Sequence, residues 1–399
     1  MKVNEKCTGC MACYNACPVR AIEIIQNDKG FYEPNIIEEK CIKCKKCKVI
    51  CPEINHREKN TVPSVYAAWN KEKNTRKNST SGGVFSIIAT EVLNLNGIVF
   101  GAMFDEEFRV IHSYITKTED LFKLRGSKYV QSFIGNSFQK AKQFLEEGRV
   151  VLFSGTACQI SGLLNYLQKD YINLITIDIL CHGVPSPKIF KEYIKNINRE
   201  QNKIKEIRFR YKKPSWTVFS MKIDYEDGRT YMKSTFKDPY LRGFLEDYTT
   251  NEICAECQYT GEKRISDITL ADFWGYISDE FKTRNTEQGI SLILVNTEKG
   301  KNLLNKLNKK MVIINKTIQE AMKGNKCLNE PFKKNNLYDE FWKEYKENGY
   351  ENVSAKYFKP RKMKLKRRLS LLFNDYAYII PYKIRNKLIK VREQNNKRE

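Results

Sequence analysis

The chain has 399 residues, 41% of them hydrophobic and 12% aromatic, and a formal net charge of +23 at pH 7. This composition excludes an intrinsically disordered protein and leaves room for about two or three domains. No apolar run approaches the roughly 18 residues of a membrane span, and no apolar segment precedes Cys7, so we expect a cytoplasmic protein without a secretory signal. Thirteen cysteines in such a protein favour metal ligation over disulfides.

Two identical cysteine patterns lie within the first 52 residues. Each reads C-x2-C-x2-C-x3-C-P, and the second begins at Cys41, 34 residues after Cys7. Bacterial two-cluster ferredoxins have this pattern, and the fourth cysteine of each run binds the other cluster. The alternative is a pair of zinc sites, but zinc does not require two quartets that each end in proline. We therefore expect one [4Fe–4S] cluster on Cys7, Cys10, Cys13 and Cys51, and another on Cys41, Cys44, Cys47 and Cys17.

Further along, strand and helix patterns alternate. A hairpin is predicted from Ala21–Ile25 and Phe31–Ile37 around a turn at residues 27–30, and a polar linker follows at residues 56–63. Later strands are predicted at Val65–Trp69, Ile98–Phe104, Val150–Phe153, Leu174–Leu180, Ile204–Arg210, Val218–Tyr225, Arg229–Ser234 and Ile290–Val295. Helices are predicted at Val84–Leu95, Ser137–Glu147, Ala157–Gln168, Pro187–Arg199 and Lys299–Leu307.

These elements predict an α+β protein with three parts. The first is a two-cluster ferredoxin fold over residues 1–57, and the second is a larger mixed α/β domain over residues 63–345. The third is a basic helical tail over residues 356–399, which holds 15 Lys/Arg and 3 Asp/Glu, a net charge of +12. We expect this tail to contact an acidic protein or to hold the protein peripherally at an anionic membrane, unless it is a solvated helix packed on one face.

Five cysteines lie outside the two ferredoxin runs. Cys158 falls in the first turn of a helix, Cys181 ends the next strand, and Cys254 and Cys257 form a C-x2-C pair in a loop. Carboxyl ends of strands in an α/β sheet meet in space, so four thiolates could converge on a third cubane. Alternatively, Cys158 and Cys181 are buried structural cysteines and only the C-x2-C pair binds metal. Cys327 is expected to be an ordinary cysteine.

Several motifs in series resemble those of the coenzyme F-420 hydrogenase/dehydrogenase beta-subunit family, in its bacterial form with a fused N-terminal two-cluster ferredoxin. The resemblance rests on the segments 79–85, 125–132, 152–159, 181–186 and 266–275 and on the C-x2-C pair. It implies a non-Rossmann FAD domain with a third [4Fe–4S] cluster on Cys158, Cys181, Cys254 and Cys257. Two departures are Ala157, where the family usually has proline, and residues 251–253, where it has an Arg-Pro-Ser-like run.

The resemblance also places the flavin. Gly82 and Gly83 permit close backbone approach, and Ser79, Thr80 and Ser81 supply hydroxyls before a helix start, where a diphosphate is favoured. A capped helix start is the alternative.

Six further residues are candidates for the flavin site or for catalysis. Lys128 and Gln131 are expected at the polar edge of the flavin, where a cation would stabilise its reduced anion; the alternative is a surface lysine. His182 is a candidate proton donor or a hydrogen-bonded structural histidine. Ser154 and Thr156 would contact flavin or cap a helix, and Asp272, beside Trp274, would line the site.

The resulting prediction is an iron–sulfur flavoprotein oxidoreductase. It would pass electrons between [4Fe–4S] clusters and FAD and exchange hydride with an organic substrate or coenzyme, deazaflavin-like or unknown. The redox partner would be ferredoxin or a reduced nicotinamide or deazaflavin coenzyme. The alternatives are an electron-transfer subunit that has no substrate of its own and docks to a partner enzyme, and a basic binding protein with structural zinc. The charge comes with no nucleic-acid-binding motif, so we expect no nucleic-acid partner.

Overall fold

The computed structural model describes residues 3–276 and 288–362. The first part contains α1 (Ala12–Ala16), β1 (Ile22–Gln26), β2 (Tyr32–Ile36) and α2 (Lys46–Val49). The chain continues with β3 (Ser64–Asn70), α3 (Lys73–Asn78), α4 (Val84–Asn94), β4 (Ile98–Phe104), β5 (Val110–Ile115), α5 (Leu121–Leu124), α6 (Ser137–Glu146), β6 (Val151–Thr156), α7 (Ala157–Leu167), β7 (Leu174–Ile179) and α8 (Pro187–Ile197). It ends with β8 (Ile204–Tyr211), β9 (Ser220–Tyr225), β10 (Thr230–Ser234), α9 (Pro239–Leu245), β11 (Ile268–Asp272), β12 (Ser291–Val295), α10 (Glu298–Leu307), β13 (Met311–Lys316), α11 (Ile318–Gly324) and α12 (Tyr338–Tyr357).

A mixed eight-stranded sheet organises the body of the protein, in the order β13-β3-β12-β11-β7-β6-β4-β5. The strands β4, β6, β7 and β11 run parallel, and antiparallel pairs extend the sheet at both ends. The apolar run of β6 is fully buried, as is typical of a parallel strand covered on both faces. Val99 and Leu152 pack on one face with α4 and α10, whereas Phe100 and Phe153 pack on the other with α6 and α7. The predicted mixed sheet covered by helices is confirmed.

One predicted strand end is wrong. The sequence predicts that the strand beginning at Val150 breaks at Ser154-Gly155, but β6 continues to Thr156. It continues because Ser154, Gly155 and Thr156 all pair with the parallel neighbour β7. Thr156 then caps α7 in a reciprocal arrangement with Gln159, so the helix begins without an intervening loop.

The ferredoxin-like region packs closely on this body. Its hairpin of β1 and β2 is antiparallel, as predicted. Met11 and Ala12 of the first cysteine run are buried in the same apolar cluster as Phe138 of α6 and Leu163 of α7. The side chain of Asn15 donates to the carbonyl of Gly135 at 2.8 Å. The domain boundary near residue 57 stays a prediction, and the two regions share one core.

A second, antiparallel sheet, in the order β10-β9-β8, packs with the C-terminal helices. The helix α12 bends at Gly349, whose φ is 72°. The predicted tail starts inside this structure, because Lys356 belongs to α12 and Phe358 is 1% exposed. From residue 363 onward the predicted tail lies outside the described residues. Within residues 3–276 and 288–362, no helix is both long and apolar enough to cross a bilayer.

Candidate functional site

The structure brings together the four cysteines predicted outside the ferredoxin runs. Cys158 lies in the first turn of α7 and Cys181 follows β7. Because β6 and β7 are neighbouring parallel strands, their carboxyl ends lie side by side. Cys254 and Cys257 come from a short 3-10 turn at Glu252–Glu256 and its end. All four thiols are close enough to repel one another when ionised.

Burial disfavours the ionised form of these four cysteines. It raises the pKa of Cys158 and Cys254 well above the usual range and that of Cys181 to about 12, and it also raises the pKa of Cys257. Cys181 accepts a hydrogen bond from the amide of Gly183 at 3.3 Å. A bound cationic metal centre would hold such thiols deprotonated.

Gly183 explains how the Cys181 loop reaches the C-x2-C pair. Its φ is +115°, and a Cβ there would lie 2.3 Å from Thr250 Cγ2 and 3.3 Å from Cys254 Cβ. Only glycine combines that backbone conformation with so close an approach. Glycine at position 183 therefore lets the loop after Cys181 approach Cys254.

Arg264 stands beside the cysteine set and was missed in the sequence. Its Nε donates to Asp178 Oδ2 at 3.0 Å, and both side chains are almost fully buried. Its charge lowers the pKa of Cys181 and Cys257, against the larger effect of burial. Asp178 is the charged residue of the buried strand β7, and this was the signal available in the sequence.

The four thiols are the donor set that one [4Fe–4S] cluster requires. Among the residues that the structure describes, no three or more His, Cys, Asp or Glu side chains are grouped closely enough to hold one metal ion. A cubane needs a wider spacing, since each thiolate binds a different iron. The four thiols lie near one another without being close enough to share one ion, and this spacing is compatible with a cluster.

The two ferredoxin runs repeat each other in backbone conformation. Gly9 and Met11 have φ values of 72° and 58°, and their counterparts Lys43 and Lys45 have 53° and 59°. A short helix follows each left-handed pair. The sequence repeat is therefore also a structural repeat.

The cysteines of the two runs lie near one another. The pKa of Cys13 responds to Cys7, Cys51 and Cys47, and that of Cys47 to Cys44 and Cys41. The division of these thiols between two clusters stays a prediction. Cys17 accepts a hydrogen bond from the amide of Ala21 at 3.2 Å, and its assignment to the second cluster stays a prediction.

The first run lies directly against α7. A Cβ on Gly162 would lie 3.0 Å from Cys10 Sγ. Cys158 is four residues before Gly162 and therefore on the same helix face. Cys10 and Cys158 are also close enough for their charges to interact. The first ferredoxin run and the four-cysteine set are thus neighbours across one helical turn.

His182 has partners on both ring nitrogens. Nε2 lies 2.8 Å from Asp247 Oδ1 and Nδ1 lies 3.8 Å from Cys327 Sγ. Burial alone would lower the pKa of His182, but Asp247 and Cys327 raise it to about 10. These contacts suit the structural alternative for His182. They also place Cys327 beside the cysteine set, which sequence reasoning did not foresee.

The Ser79–Gly83 turn packs against the large sheet. Ser79 Oγ donates to the carbonyl of Thr75 at 2.7 Å, and Ser81 Oγ donates to that of Ile290 at 2.8 Å. A Cβ on Gly82 would lie 2.4 Å from the carbonyl oxygen of Ala68 in β3. The sheet itself thus makes a close approach at Gly82, where we predicted a cofactor. A larger side chain at this position would clash with the sheet, so loss of FAD from such a variant would not show that FAD contacts Gly82. Thr80 lies next to Gly126, which belongs to the motif segment 125–132: a Cβ on Gly126 would be 3.8 Å from Thr80 Cγ2.

The other predicted cofactor residues lie in separate places. Gln131 faces the ferredoxin hairpin, since its Oε1 accepts from the amide of Tyr32 at 2.7 Å. Ser154 is buried, and its hydroxyl donates to the carbonyl of Phe100 at 2.8 Å. Lys128 Nζ donates to the carbonyl of Lys123 at 2.8 Å. Thr156 Oγ1 lies 3.1 Å from Cys158 Sγ. Asp272 Oδ1 accepts from Trp216 Nε1 at 2.8 Å.

Arg208, Arg210 and Lys212 lie at alternate positions of β8 and just after it. Together with Arg125 and Lys128 they form the group of cations that we call the basic crevice. Lys212 Nζ donates to the carbonyl of Arg76 at 2.9 Å and to that of Ser81 at 2.8 Å. Arg125 is within charge-interaction range of Arg208, and Lys128 of Glu206. Arg210 pairs with Asp272. The alternation Arg208-x-Arg210-x-Lys212 was the missed sequence signal.

Burial affects several cations of the basic crevice. Burial lowers the pKa of both Lys128 and Lys212 to about 7. The Nε and Nη2 atoms of Arg210 are buried and lack a hydrogen-bond partner within the described residues. The ring of Trp274 lies 5.1 Å from the Arg210 guanidinium and stacks on Trp216 at 4.8 Å between centroids. An anion would supply acceptors for these two nitrogens of Arg210.

Two cavities elsewhere do not coincide with these residues. One, of about 620 Å³, lies between the ferredoxin hairpin, α8 and α12, and includes Lys29, Lys188 and Trp342. The other, of about 530 Å³, lies beside β13 and α10. Neither borders the cysteines or the basic crevice, so cavity size alone does not identify the site.

Similar proteins include a curated archaeal enzyme and a solved complex. The coenzyme F420-dependent sulfite reductase of Methanocaldococcus jannaschii is 25% identical over 315 residues, which cover 75% of this chain and 45% of that protein. The chain thus spans less than half of that relative's length. A chain from a structure of the F420-reducing [NiFe] hydrogenase complex of Methanosarcina barkeri aligns with a TM-score of 0.44 and 15% identity, covering 75% of this chain and 91% of that chain.

Family comparisons cover most of the described chain. Residues 6–54 match the 4Fe-4S dicluster domain, which supports iron–sulfur clusters in the first part. Residues 65–137 match the N-terminal part, and residues 148–321 the C-terminal part, of the coenzyme F420 hydrogenase/dehydrogenase beta subunit. These last two matches together span more than half of the 399 residues. The chain therefore belongs to the coenzyme F420 hydrogenase/dehydrogenase beta subunit family.

Proposed function

We propose that the protein is an iron–sulfur flavoenzyme that connects hydride chemistry to single-electron transfer. The observation that carries this proposal is that three cysteine sets follow one another in space. They are the second ferredoxin run, the first run and the set around Cys158. Cys10 of the first run contacts α7 at Gly162, one helical turn after Cys158. Each set has the thiols to hold one [4Fe–4S] cluster. The family match and the name of the archaeal relative support a redox function.

Aromatic side chains connect the set around Cys158 to the basic crevice. The ring of His182, which follows Cys181, lies 5.7 Å from Phe244 between centroids. Phe244 lies 4.7 Å from Tyr129, which is next to Lys128 of the crevice. The cluster and a ligand in the crevice would thus be separated by a packed aromatic layer rather than by water.

We assign FAD to the basic crevice. Arg210 and Lys212 would hold its diphosphate, and Lys128 would contact its polar edge. When bound, FAD supplies hydride exchange with an organic partner and single-electron exchange with clusters. The chain itself would bind the anion through Arg210, which lies against the ring of Trp274, and would exclude water through the aromatic layer. The hydride donor or acceptor would be a deazaflavin-type or nicotinamide coenzyme.

The test is FAD retention in a crevice variant. Anaerobically purified protein should release FAD on denaturation. Its flavin absorption should bleach when one of four electron donors is added: reduced deazaflavin, NADH, NADPH or reduced ferredoxin. Lys128→Met with Lys212→Met should lower FAD content and leave iron unchanged, because the cation at the polar edge of the flavin and one of the two cations at its diphosphate are lost. Lys205→Met is the matched control, since Lys205 is exposed on the opposite face of β8. FAD loss in the control, or none in the double variant, would contradict the assignment.

The second candidate function is an electron-transfer subunit without a substrate of its own. The exposed second ferredoxin run favours it, because an exposed cluster can serve a partner protein. The two functions differ in flavin: fully iron-loaded protein with cluster absorption alone, and no FAD released, would support the carrier.

The contact at Gly162 gives a prediction about electron flow. Gly162→Val should push the first ferredoxin run away from α7, an overpacking that costs about 1–3 kcal/mol. Electron exchange between the set around Cys158 and the first run should slow, while dithionite still reduces every cluster. Stopped-flow spectroscopy with iron analysis measures both effects. Gly162→Ala should give a smaller effect, and equal rates in all three proteins would show that electrons take another route.

Removing residues 363–399 should leave iron and FAD content intact but change association. This segment carries 11 Lys/Arg and 3 Asp/Glu, a net charge of +8, and lies beyond the family matches. If it docks, the full chain should bind anionic vesicles or acidic proteins less tightly as salt rises, since charges are screened within about 8 Å at physiological ionic strength. Co-sedimentation over a salt series measures this. Salt-independent binding would instead support a packed helix.

A further inference from the structure

The two ferredoxin runs have the same backbone but opposite surroundings. In the first run, Met11 and Ala12 are 2% and 0% exposed against α6 and α7. Their counterparts 34 residues later are Lys45 and Lys46, and both are exposed. Cys44 is exposed, whereas its counterpart Cys10 is buried. The first run therefore faces the body of the protein and the second faces solvent.

Five exposed lysines lie within or beside the second ferredoxin run. We call residues 40–49 the lysine loop. Its lysines are Lys40, Lys43, Lys45, Lys46 and Lys48. No ion pair or side-chain hydrogen bond holds any of these ammonium groups within the described part of the chain. Glu38 and Glu39 precede the loop, and no acidic residue lies between Cys41 and Cys51. The loop is thus a concentrated, uncompensated positive surface.

Apolar side chains stand among these charges. Ile42 is 61% exposed and Val49 is 57% exposed. Both flank the cysteines of the second run, at positions where the first run has Thr8 and Asn15. A small apolar patch surrounded by charge suits the transient interfaces of electron-transfer proteins, which bury less than about 1,200 Å². Charge then guides the encounter, and the patch brings the redox centres close.

We propose that the lysine loop docks a small acidic protein that carries single electrons. The inference rests on the proposed function only in that the second cysteine run holds a cluster. On docking, one electron passes between the carrier and that cluster, so one is oxidised and the other reduced by one electron, and no proton moves. The first run then connects the cluster to α7 and the set around Cys158.

An acidic protein fits the surface better than a lipid surface does. The lysines and the apolar side chains lie on one compact loop around cysteine ligands, whereas interfacial membrane anchors are long amphipathic helices. The helix within the loop, Lys46–Val49, has four residues. A docked carrier would cover Ile42, Val49 and the exposed Cys44 together.

The test is a charge-neutralised loop in the holoprotein. The variant carries Lys43→Asn, Lys45→Asn, Lys46→Gln and Lys48→Gln; asparagine is used at 43 and 45 because their φ values are 53° and 59°. The control carries Lys301→Gln, Lys306→Gln, Lys309→Gln and Lys310→Gln, an equal charge change on exposed residues in and after α10. The probes are a plant-type ferredoxin of net negative charge, methyl viologen and phosphatidylserine vesicles. Iron content is measured in every protein.

Stopped-flow rates at several salt concentrations decide the outcome. The loop variant should lose at least about tenfold in its second-order rate with the ferredoxin at low salt, with a flatter salt dependence. Its rate with methyl viologen should not fall, because a cation gains nothing from the lysines. Equal ferredoxin rates in the loop variant and the α10 control would overturn the proposal, as would loss of vesicle binding alone. A protein that lacks FAD would still give this result, so the two proposals fail separately.

Discussion

Cys254→Ala together with Cys257→Ala is expected to remove about four of about twelve irons per chain, because one of three cubanes loses half of its ligands. The structure places both cysteines with Cys158 and Cys181, and neither belongs to the predicted ligands of the two ferredoxin clusters. The EPR signals of the two ferredoxin clusters should survive. Anaerobic iron and sulfide analysis, with EPR of the dithionite-reduced protein, measures the result.

Cys327→Ala is the matched control for this experiment. Its Sγ is 3.8 Å from His182 Nδ1 and close to Cys181, so it shares the neighbourhood of the set without belonging to the predicted ligands. It should keep all of the iron. If iron falls equally in this variant, Cys327 is a ligand and our set is wrong. If fully loaded wild-type protein holds only about eight irons, there is no third cluster.

Arg264→Met is expected to lower the free energy of unfolding by about 3–5 kcal/mol, because it leaves the Asp178 carboxylate buried without its partner. The two side chains are 2% and 0% exposed. Asp178 keeps only the hydroxyl of Ser266, at 2.9 Å, from its present side-chain partners. Anaerobic urea denaturation, followed by cluster absorption and fluorescence, measures the shift.

Lys263→Met is the control for Arg264, since it removes the same charge from the adjacent, exposed residue. It should change stability by no more than about 0.5 kcal/mol. Adding Asp178→Asn to Arg264→Met should recover part of the loss, because the uncompensated buried charge is then gone. If Arg264→Met and Lys263→Met unfold at the same urea concentration, the ion pair does not hold β7 to the C-x2-C segment.

Local patterns were sufficient where neighbouring residues decide the structure. The predicted hairpin and the helices beginning at Val84, Ser137 and Ala157 all appear, with ends within a residue or two. The C-x2-C-x2-C-x3-C-P repeat predicted two equivalent loops, and the matching φ values at Gly9 and Lys43 bear this out. Periodicity and cysteine spacing act over a few residues, so one sequence displays them fully.

Pairing partners far apart in sequence decided what local patterns could not. The end of β6 was misplaced because Ser154-Gly155 reads as a break, while pairing with β7 extends the strand. The sequence does not reveal that the carbonyl of Ala68 in β3 lies where a Cβ on Gly82 would be, or that Gln131 contacts Tyr32 of the ferredoxin hairpin. The cofactor contacts of Gly82 and Gln131 stay predictions.

The sequence by itself determined the chemistry available to this protein, since the identities and spacings of the twelve predicted cysteine ligands, the serine–glycine turn and the lysines of the second run are all visible in it. Only the tertiary structure decided which of these groups meet. It joined Cys158 to Cys181 through adjacent strand ends, set Cys10 against Gly162, placed Lys212 beside the Ser79–Gly83 turn, and left one of two equal loops in solvent. The reason is that burial and close approach depend on which surfaces pack together, and packing joins residues hundreds of positions apart.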